Sequence, residues 1–347
     1  MIMDSFFSKP IEKWYKEHKR FLPWRCTSDP YAIWISEIIL QQTRVAQGLE
    51  YYKRFMSRFP DVAVLASASE DEVLLYWQGL GYYSRARNLH FAAHQIVEQG
   101  GFPDTYDGIR ALKGVGDYTA AAIGSIAFGL PYAVVDGNVY RILSRVFGVE
   151  IPIDSTQGKK YFAQLAQRLL DVDAPGLYNQ SVMDFGALQC LPKSPDCTAC
   201  PLQERCVAYA QRKVDAFPVK SHKTKVTDRY FHYMNFRIGD EMLLRQRKGN
   251  DIWKNLYEIP LVEADHRLTM EELEKTPLFQ QLACNQIQQV KEQIKHVLSH
   301  RVIHADLYLL SADKWPSPLP EGYFKLKVSD LGNYAISRLM DVILHEK

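Results

Sequence analysis

Ala111-Leu-Lys-Gly-Val-Gly-Asp-Tyr-Thr-Ala-Ala-Ala122 sets two glycines one residue apart between segments that otherwise read as helix. A Gly-Val-Gly turn between helices leaves consecutive backbone N–H groups uncovered, and the helix running from Tyr118 adds the positive end of its dipole. Such a turn suits an anion. A phosphate can come close because Gly114 and Gly116 carry no Cβ and tolerate positive φ. The plainer alternative is a tight turn between packed helices.

Outward from this turn, the apolar spacing from about residue 30 to 210 is mostly helical. In Tyr31-Ala-Ile-Trp-Ile-Ser-Glu-Ile-Ile-Leu-Gln-Gln42, positions 33, 34, 37, 38 and 41 share one face. Asp29 caps a helix that opens on Pro30, Ser69 caps the helix toward Trp77, and Pro60 and Pro103 break the intervening segments. The first domain is therefore expected to be all-α over residues 1–216, followed by a polar, basic linker at 217–228. Beyond it, Tyr230–Ile238, Glu241–Arg245 and Ala305–Leu310 read as strands, and 270–282 and 329–345 as helices, giving a smaller α+β domain over 229–347.

Bulk composition is consistent with two folded domains: 347 residues, 47% hydrophobic and 24% charged. The formal charge of +2 excludes a strong global field, so any nucleic-acid contact depends on local clustering. No apolar run approaches a membrane span, and the first residues lack a basic-then-apolar signal, so an intracellular, cytoplasmic protein is expected. Four of the six cysteines, Cys190, Cys197, Cys200 and Cys206, crowd into residues 190–206 with spacing C-x6-C-x2-C-x5-C. That is metal-site spacing rather than a disulfide framework, and four thiolates accommodate either zinc or an iron-sulfur cluster. Cys26 and Cys284 lie outside it and are expected to be buried free thiols.

Two carboxylates complete the chemistry. Asp136, in Val-Val-Asp136-Gly-Asn138-Val, stands at a helix start, where an N-cap role alone would account for it. Glu37 shares its helix face with Ile33, Trp34 and Ile38, where desolvation raises a carboxyl pKa and an ion pair with arginine is the alternative. Together they form a pair of acids in unlike environments, as glycosidic cleavage requires.

Helix-Gly-Val-Gly-helix followed by this Asp resembles the helix-hairpin-helix DNA glycosylase superfamily, and the cysteine spacing resembles the cluster loop of its endonuclease III and adenine glycosylase branches. Leu22-Pro-Trp-Arg25, Ser36-Glu-Ile-Ile-Leu-Gln-Gln-Thr-Arg-Val45, Gln78-Gly-Leu-Gly-Tyr-Tyr-Ser-Arg and Val135-Asp-Gly-Asn-Val narrow the resemblance to the adenine DNA glycosylase (MutY) family, over nearly the whole chain.

The resemblance implies a [4Fe-4S] cluster on the four cysteines and a hydrolase that removes adenine opposite 8-oxoguanine or guanine from double-stranded DNA. It implies that Glu37 protonates adenine at N7, that Asp136 stabilises the sugar cation and that Asn138 positions the site. Tyr118 occupies the place of the lysine with which lyase-competent relatives form a Schiff base; a phenol cannot form that imine, so base removal by water without strand cleavage is expected. Tyr118 then either stabilises charge or packs.

By the same resemblance Gly114, Val115 and Gly116 grip DNA, and Gln42, Leu80 and Tyr82 wedge the gap left by the flipped base. Arg20, Leu22, Trp24, Arg25, Val45 and Gln180 line the adenine pocket, with core packing the competing role for the aromatics. The C-terminal domain resembles a Nudix fold that reads the lesion but, with too few acids around 269–275, does not hydrolyse. Its lesion loop has Leu298-Ser299-His300 where the family commonly has Phe-Ser-His, which weakens stacking. A monomer, nucleoid-associated by function, is expected. The competing readings are an endonuclease III-like oxidised-pyrimidine glycosylase/lyase and a non-catalytic iron-sulfur DNA-binding protein.

Overall fold

The computed structural model describes residues 5–221 and 226–345, so residues 222–225 of the expected linker lie outside the described residues. The helices are α1 (Ser5–His18), α2 (Pro30–Leu40), α3 (Val45–Arg58), α4 (Val62–Ser67), α5 (Glu70–Trp77), α6 (Ser84–Glu98), α7 (Tyr106–Ala111), α8 (Asp117–Phe128), α9 (Gly137–Phe147), α10 (Thr156–Leu169), α11 (Pro175–Leu188), α12 (Val207–Ala210), α13 (Met270–Glu274), α14 (Pro277–Leu282) and α15 (Arg338–His345). The chain forms two compact units, Met1–Ser67 with Asn88–Lys223, and Ala68–Arg87 with Thr224–Lys347. The second unit thus takes in Ala68–Arg87, which the expected 1–216 boundary had assigned to the first. The local reason is bonding: Asn255 donates to Glu70, Tyr257 Oη to Asp71 Oδ2 at 2.9 Å, and Ile336 N to Gln78 Oε1 at 3.0 Å.

In the helical unit, Asp29 caps α2 as expected, accepting from the amides of Tyr31 and Ala32 at 3.0 and 3.3 Å. Nine of its 11 residues are buried, a wider contact than the single apolar face read from the sequence. A helix that is apolar all round is a core helix, and α2 packs on both α3 and α8. The alanines of α8 (Ala120, Ala121, Ala122) keep it thin, so α2 and α11 both reach it. Glycines bring α11 closer still: a Cβ on Gly176 would stand 2.7 Å from the Ser125 carbonyl oxygen, and one on Gly186 would stand 2.5 Å from Asn138 Cβ. Phe7, Ile11, Ile142, Leu143, Phe162 and Phe185 fill the core beneath these helices, each worth about 1.5–3 kcal/mol by burial.

The second unit is built on β1 (Thr227–Ile238), β2 (Glu241–Gln246), β3 (Tyr257–Glu258), β4 (Leu261–Ala264), β5 (Gln286–Val297), β6 (Arg301–Ser311) and β7 (Tyr323–Lys327). The sheet order is β3-β2-β1-β6-β5, with β4 on β1 and β7 on β2; among the described residues β1 and β6 are the one parallel pair of these strands. Side chains alternate between two cores. Phe231 and Tyr233 face one with Leu339 and Met340, while Met234 and Phe236 face the other with Leu273 and Leu282.

Three expectations need correction. The helix expected over 270–282 is two helices, because Thr276–Pro277 starts a new one: Pro277 cannot donate to the preceding turn. The helix expected over 329–345 is a 3-10 turn at Val328–Asn333 and then α15. Strands β3, β4, β5 and β7 were not read at all. Cys26 is exposed and Cys284 half-buried, so neither is a buried thiol. Among the described residues no helix is long and apolar enough to cross a membrane.

Candidate active site

Glu37 lies in the middle of α2 with only 8% of its surface exposed. Burial pushes its carboxyl up to about 7, and Asp136 adds to the rise; a hydrogen bond from Tyr118 and the charge of Arg25 oppose it. A carboxylic acid so placed is about half protonated at neutral pH, so it can both give up a proton and take one back. The Tyr118 hydroxyl also lies 3.0 Å from Met183 Sδ, and burial together with Glu37 and Asp136 drives its own ionisation far above the ordinary phenol range. Tyr118 therefore stays neutral and serves as a hydrogen-bonding group.

Asp136 is the N-cap of α9, as the plain reading of the sequence had it. Its Oδ1 accepts from the amides of Asn138 and Val139 at 2.9 and 2.8 Å, and its Oδ2 from Asn138 Nδ2 at 2.9 Å. Burial raises its pKa while these three bonds pull it back, and the same bonds orient a carboxylate whose field acts on Glu37. Asn138 is fixed in turn: its Oδ1 accepts from Arg141 Nη2 at 2.8 Å.

Arg141 also donates to Gly186 O at 2.6 Å and, through Nε, to Cys190 O at 2.8 Å, tying Asn138 to the cysteine loop. One helical turn on, Arg145 donates to the carbonyls of Leu191, Pro192 and Val214 and lies 3.4 Å from Cys190 Sγ. The four cysteines line one small cavity with Arg145, Val146, Phe185 and Leu202. Backbone N–H of Leu202 points at Cys200 Sγ at 3.4 Å. Among the described residues no three His, Cys, Asp or Glu side chains are grouped tightly enough to hold a single metal ion.

Around the expected adenine pocket, Tyr15 Oη donates to Gln180 Oε1 at 2.9 Å, and Arg20 and Arg25 both bind Asp184, which is fully buried. Leu22 and Trp24 are buried, Trp24 edge-on to Tyr52 with ring centres 5.0 Å apart, and Val45 opens α3 half-buried. Tyr15, Arg141, Met183 and Asp184 were not singled out from the sequence. Asp184 had a readable signal: it is an acid inside the apolar helix run Ser181–Leu188, where an ionised group survives only if paired.

In the hairpin, Gly114 has φ +79°, and a Cβ there would sit 2.7 Å from Asn88 Cβ, so its lack of a side chain is structurally required. Gly116 differs from expectation. Its φ is −98°, available to any residue, but it caps α8 without a side-chain bond and the space beyond its Cα is open. Val115 is buried and anchors the turn. Gln42 and Tyr82 adopt φ of 59° and 45°, left-handed conformations that cost non-glycine residues ~1–3 kcal/mol.

In the second unit, Tyr82 hydrogen bonds Ser299, and Leu80, Tyr82, Trp253, His296, Leu298 and Ser299 share one pocket. Ser299 and His300 are exposed at the β5–β6 turn, closed by the Leu298 N to Arg301 O bond at 2.8 Å, whereas Leu298 packs onto the core below.

Residues 35–171 match the HhH-GPD superfamily of base excision DNA repair proteins, and residues 232–346 match the NUDIX domain. The adenine DNA glycosylase of Buchnera aphidicola from Acyrthosiphon pisum is 35% identical over 257 residues, 73% of this chain and 73% of its own. That of Mus musculus is 34% identical, covering 96% of this chain and 76% of its own. A solved thermostable thymine-DNA glycosylase superposes with a TM-score of 0.56 at 29% identity, covering 60% of this chain and 97% of its own. A trapped endonuclease III–DNA intermediate superposes at 0.53 with 21% identity, a likeness of fold, over 61% and 97%. With relatives 34–35% identical over most of its length, a helix-hairpin-helix glycosylase region and a NUDIX domain after it, the chain belongs to the adenine DNA glycosylase family of base excision repair enzymes.

Proposed function

We propose that this glycosylase removes adenine opposite 8-oxoguanine or guanine, with Glu37 as general acid and Asp136 as the anion that stabilises the sugar cation. The observation that carries the reading is the Glu37 carboxyl, held near 7 by burial and facing Asp136. Adenine leaves poorly as an anion, so a proton delivered to its ring as the glycosidic bond breaks lowers the barrier. The electrons of that bond stay with the base, and Asp136 meets the positive charge left on the sugar. Asn138, held by Arg141, keeps that carboxylate aimed. Water completes the hydrolysis, with Glu37, now ionised, able to accept its proton. Tyr118 offers no amine, which favours hydrolysis over the lyase alternative.

In the second domain, two of the acids near the expected Nudix region are engaged and not free for divalent metal. Glu258 is 2% exposed and accepts from Arg245 and Arg247, and Glu272 closes the Thr269 capping box. We assign the second unit to reading the base opposite adenine, with Ser299 and His300 at the exposed turn and Leu80 and Tyr82 supplying a wedge.

The four cysteines suit a [4Fe-4S] cluster better than zinc. One zinc ion needs its sulfurs drawn close together, whereas a cluster takes one thiolate at each iron corner, around a larger body. Burial raises the Cys200 thiol to about 12, so its thiolate needs a strong cationic centre. Arg145, 2% exposed, meets carbonyl and sulfur partners, and a thiolate-ligated cluster would set negative charge beside it.

The test is single-turnover excision on duplexes carrying adenine opposite 8-oxoguanine, guanine or thymine. Release is expected from the first two and not the third, and borohydride is expected to trap no covalent adduct. Equal release from adenine–thymine pairs would overturn the mispair reading, and an adduct at oxidised pyrimidines would favour the lyase. Anaerobically purified protein is expected to be brown with four irons per chain, and Cys200→Ser to lose both colour and iron; stoichiometric zinc in place of iron would refute the cluster.

A further inference from the structure

Asp184, on α11, has no part in the reaction as described, yet it is a fully buried carboxylate in contact with two cations. Its Oδ1 accepts from Arg25 Nη2 at 2.7 Å and from Arg20 Nη2, and its Oδ2 accepts from Arg25 Nη1. The bidentate grip fixes the Arg25 guanidinium, which also lies over the Tyr15 ring at 5.5 Å. Burial favours the neutral acid, but hydrogen bonds and charge from Arg25 and Arg20 hold Asp184 below the usual carboxylate range, so it stays ionised.

Glu37 is acted on by Tyr118 from α8, Asp136 at the start of α9 and Arg25 from the turn at Pro23–Arg25. Arg25 is the cation of the three. A bare cation beside a buried acid favours loss of the acid's proton, and a cation already paired in a low-dielectric site does so far less. We propose that Asp184 is a positioning residue that masks the charge of Arg25, so that the guanidinium can line the adenine pocket without stripping Glu37 of the proton it delivers. The inference rests on the reading of Glu37 as general acid.

The experiment is the pH profile of single-turnover adenine release by the full-length protein. In the wild type, release falls as pH rises through about 7, because the acid form of Glu37 is lost. In Asp184→Asn that alkaline limb is expected to move down by roughly half to one pH unit. In Arg25→Gln it is expected to move up, whatever the absolute rate, and in the double variant to return toward the wild-type position. Asp184→Glu, which keeps the charge, is expected to leave it in place.

A structural role alone would slow release at every pH and leave the limb where it is; that result overturns the proposal. Arg25→Gln keeps the question open to test should Asp184→Asn not fold, since an unmoved limb there also overturns it. If instead the wild type shows no alkaline limb, or Glu37→Gln keeps full activity, the general-acid reading beneath the proposal is what fails.

Discussion

Glu37→Gln is expected to bind a duplex containing adenine opposite 8-oxoguanine about as tightly as the wild type and to release adenine ~10²–10⁴-fold more slowly. The amide keeps the size of the side chain and an oxygen for Tyr118, so α2, buried over nine of its 11 residues, loses no packing. What disappears is the transferable proton. Above about pH 4.5 the isosteric change is expected to stabilise the fold slightly, because an acid whose pKa burial raises from 4.5 to about 7 costs stability wherever the unfolded chain would ionise it. Gel-shift affinity and single-turnover release measured on the same preparation separate the two effects, and full activity in Glu37→Gln would exclude this side chain as the acid.

Asp136→Asn separates two roles that share one carboxylate. As a cap, asparagine is nearly as good as aspartate, and the Oδ1 bonds to the amides of Asn138 and Val139 can survive. Melting temperature is therefore expected to move by only a few degrees. The charge facing the developing sugar cation is gone, and removal of one such electrostatic group costs ~10²–10³-fold in the chemical step. A variant that melts early but excises normally would return Asp136 to a purely structural role. Asp136→Ala, which removes both functions, should lose about a further 1 kcal/mol of stability.

Much of this was legible in the residues themselves. The glycine pair, the Asp29 and Asp136 caps and the run of α2 depend on local rules, and local rules are what a single sequence states. Strand β5 was hidden for a physical reason. Its inward positions after Ile287 are Gln289 and Lys291, and register shifts between Gln289 and Lys291 and between Lys291 and Ile294 reverse the side-chain parity, so no period of two runs through it. The break at Pro277 was readable and was read through. Residues 68–87 could not be assigned to the second unit from spacing, since the bonds that hold them there come from residues 185 to 258 positions away. In the site, the acids announced themselves by type, whereas Arg141 and Asp184 act through partners far along the chain, which no periodicity reports.

Gly186 sets the tolerance of the proposed catalytic centre. At the point where α11 meets Asn138, the separation of the two helices is defined by a hydrogen atom rather than a methyl group. The asparagine crowded there is the one that steadies Asp136, and α11 also carries Met183 against Tyr118 and Asp184 against Arg25. Any thicker residue at this crossing would pry apart three fine alignments at once, so if Glu37 delivers the proton as proposed, how thin that single contact remains bears on its accuracy.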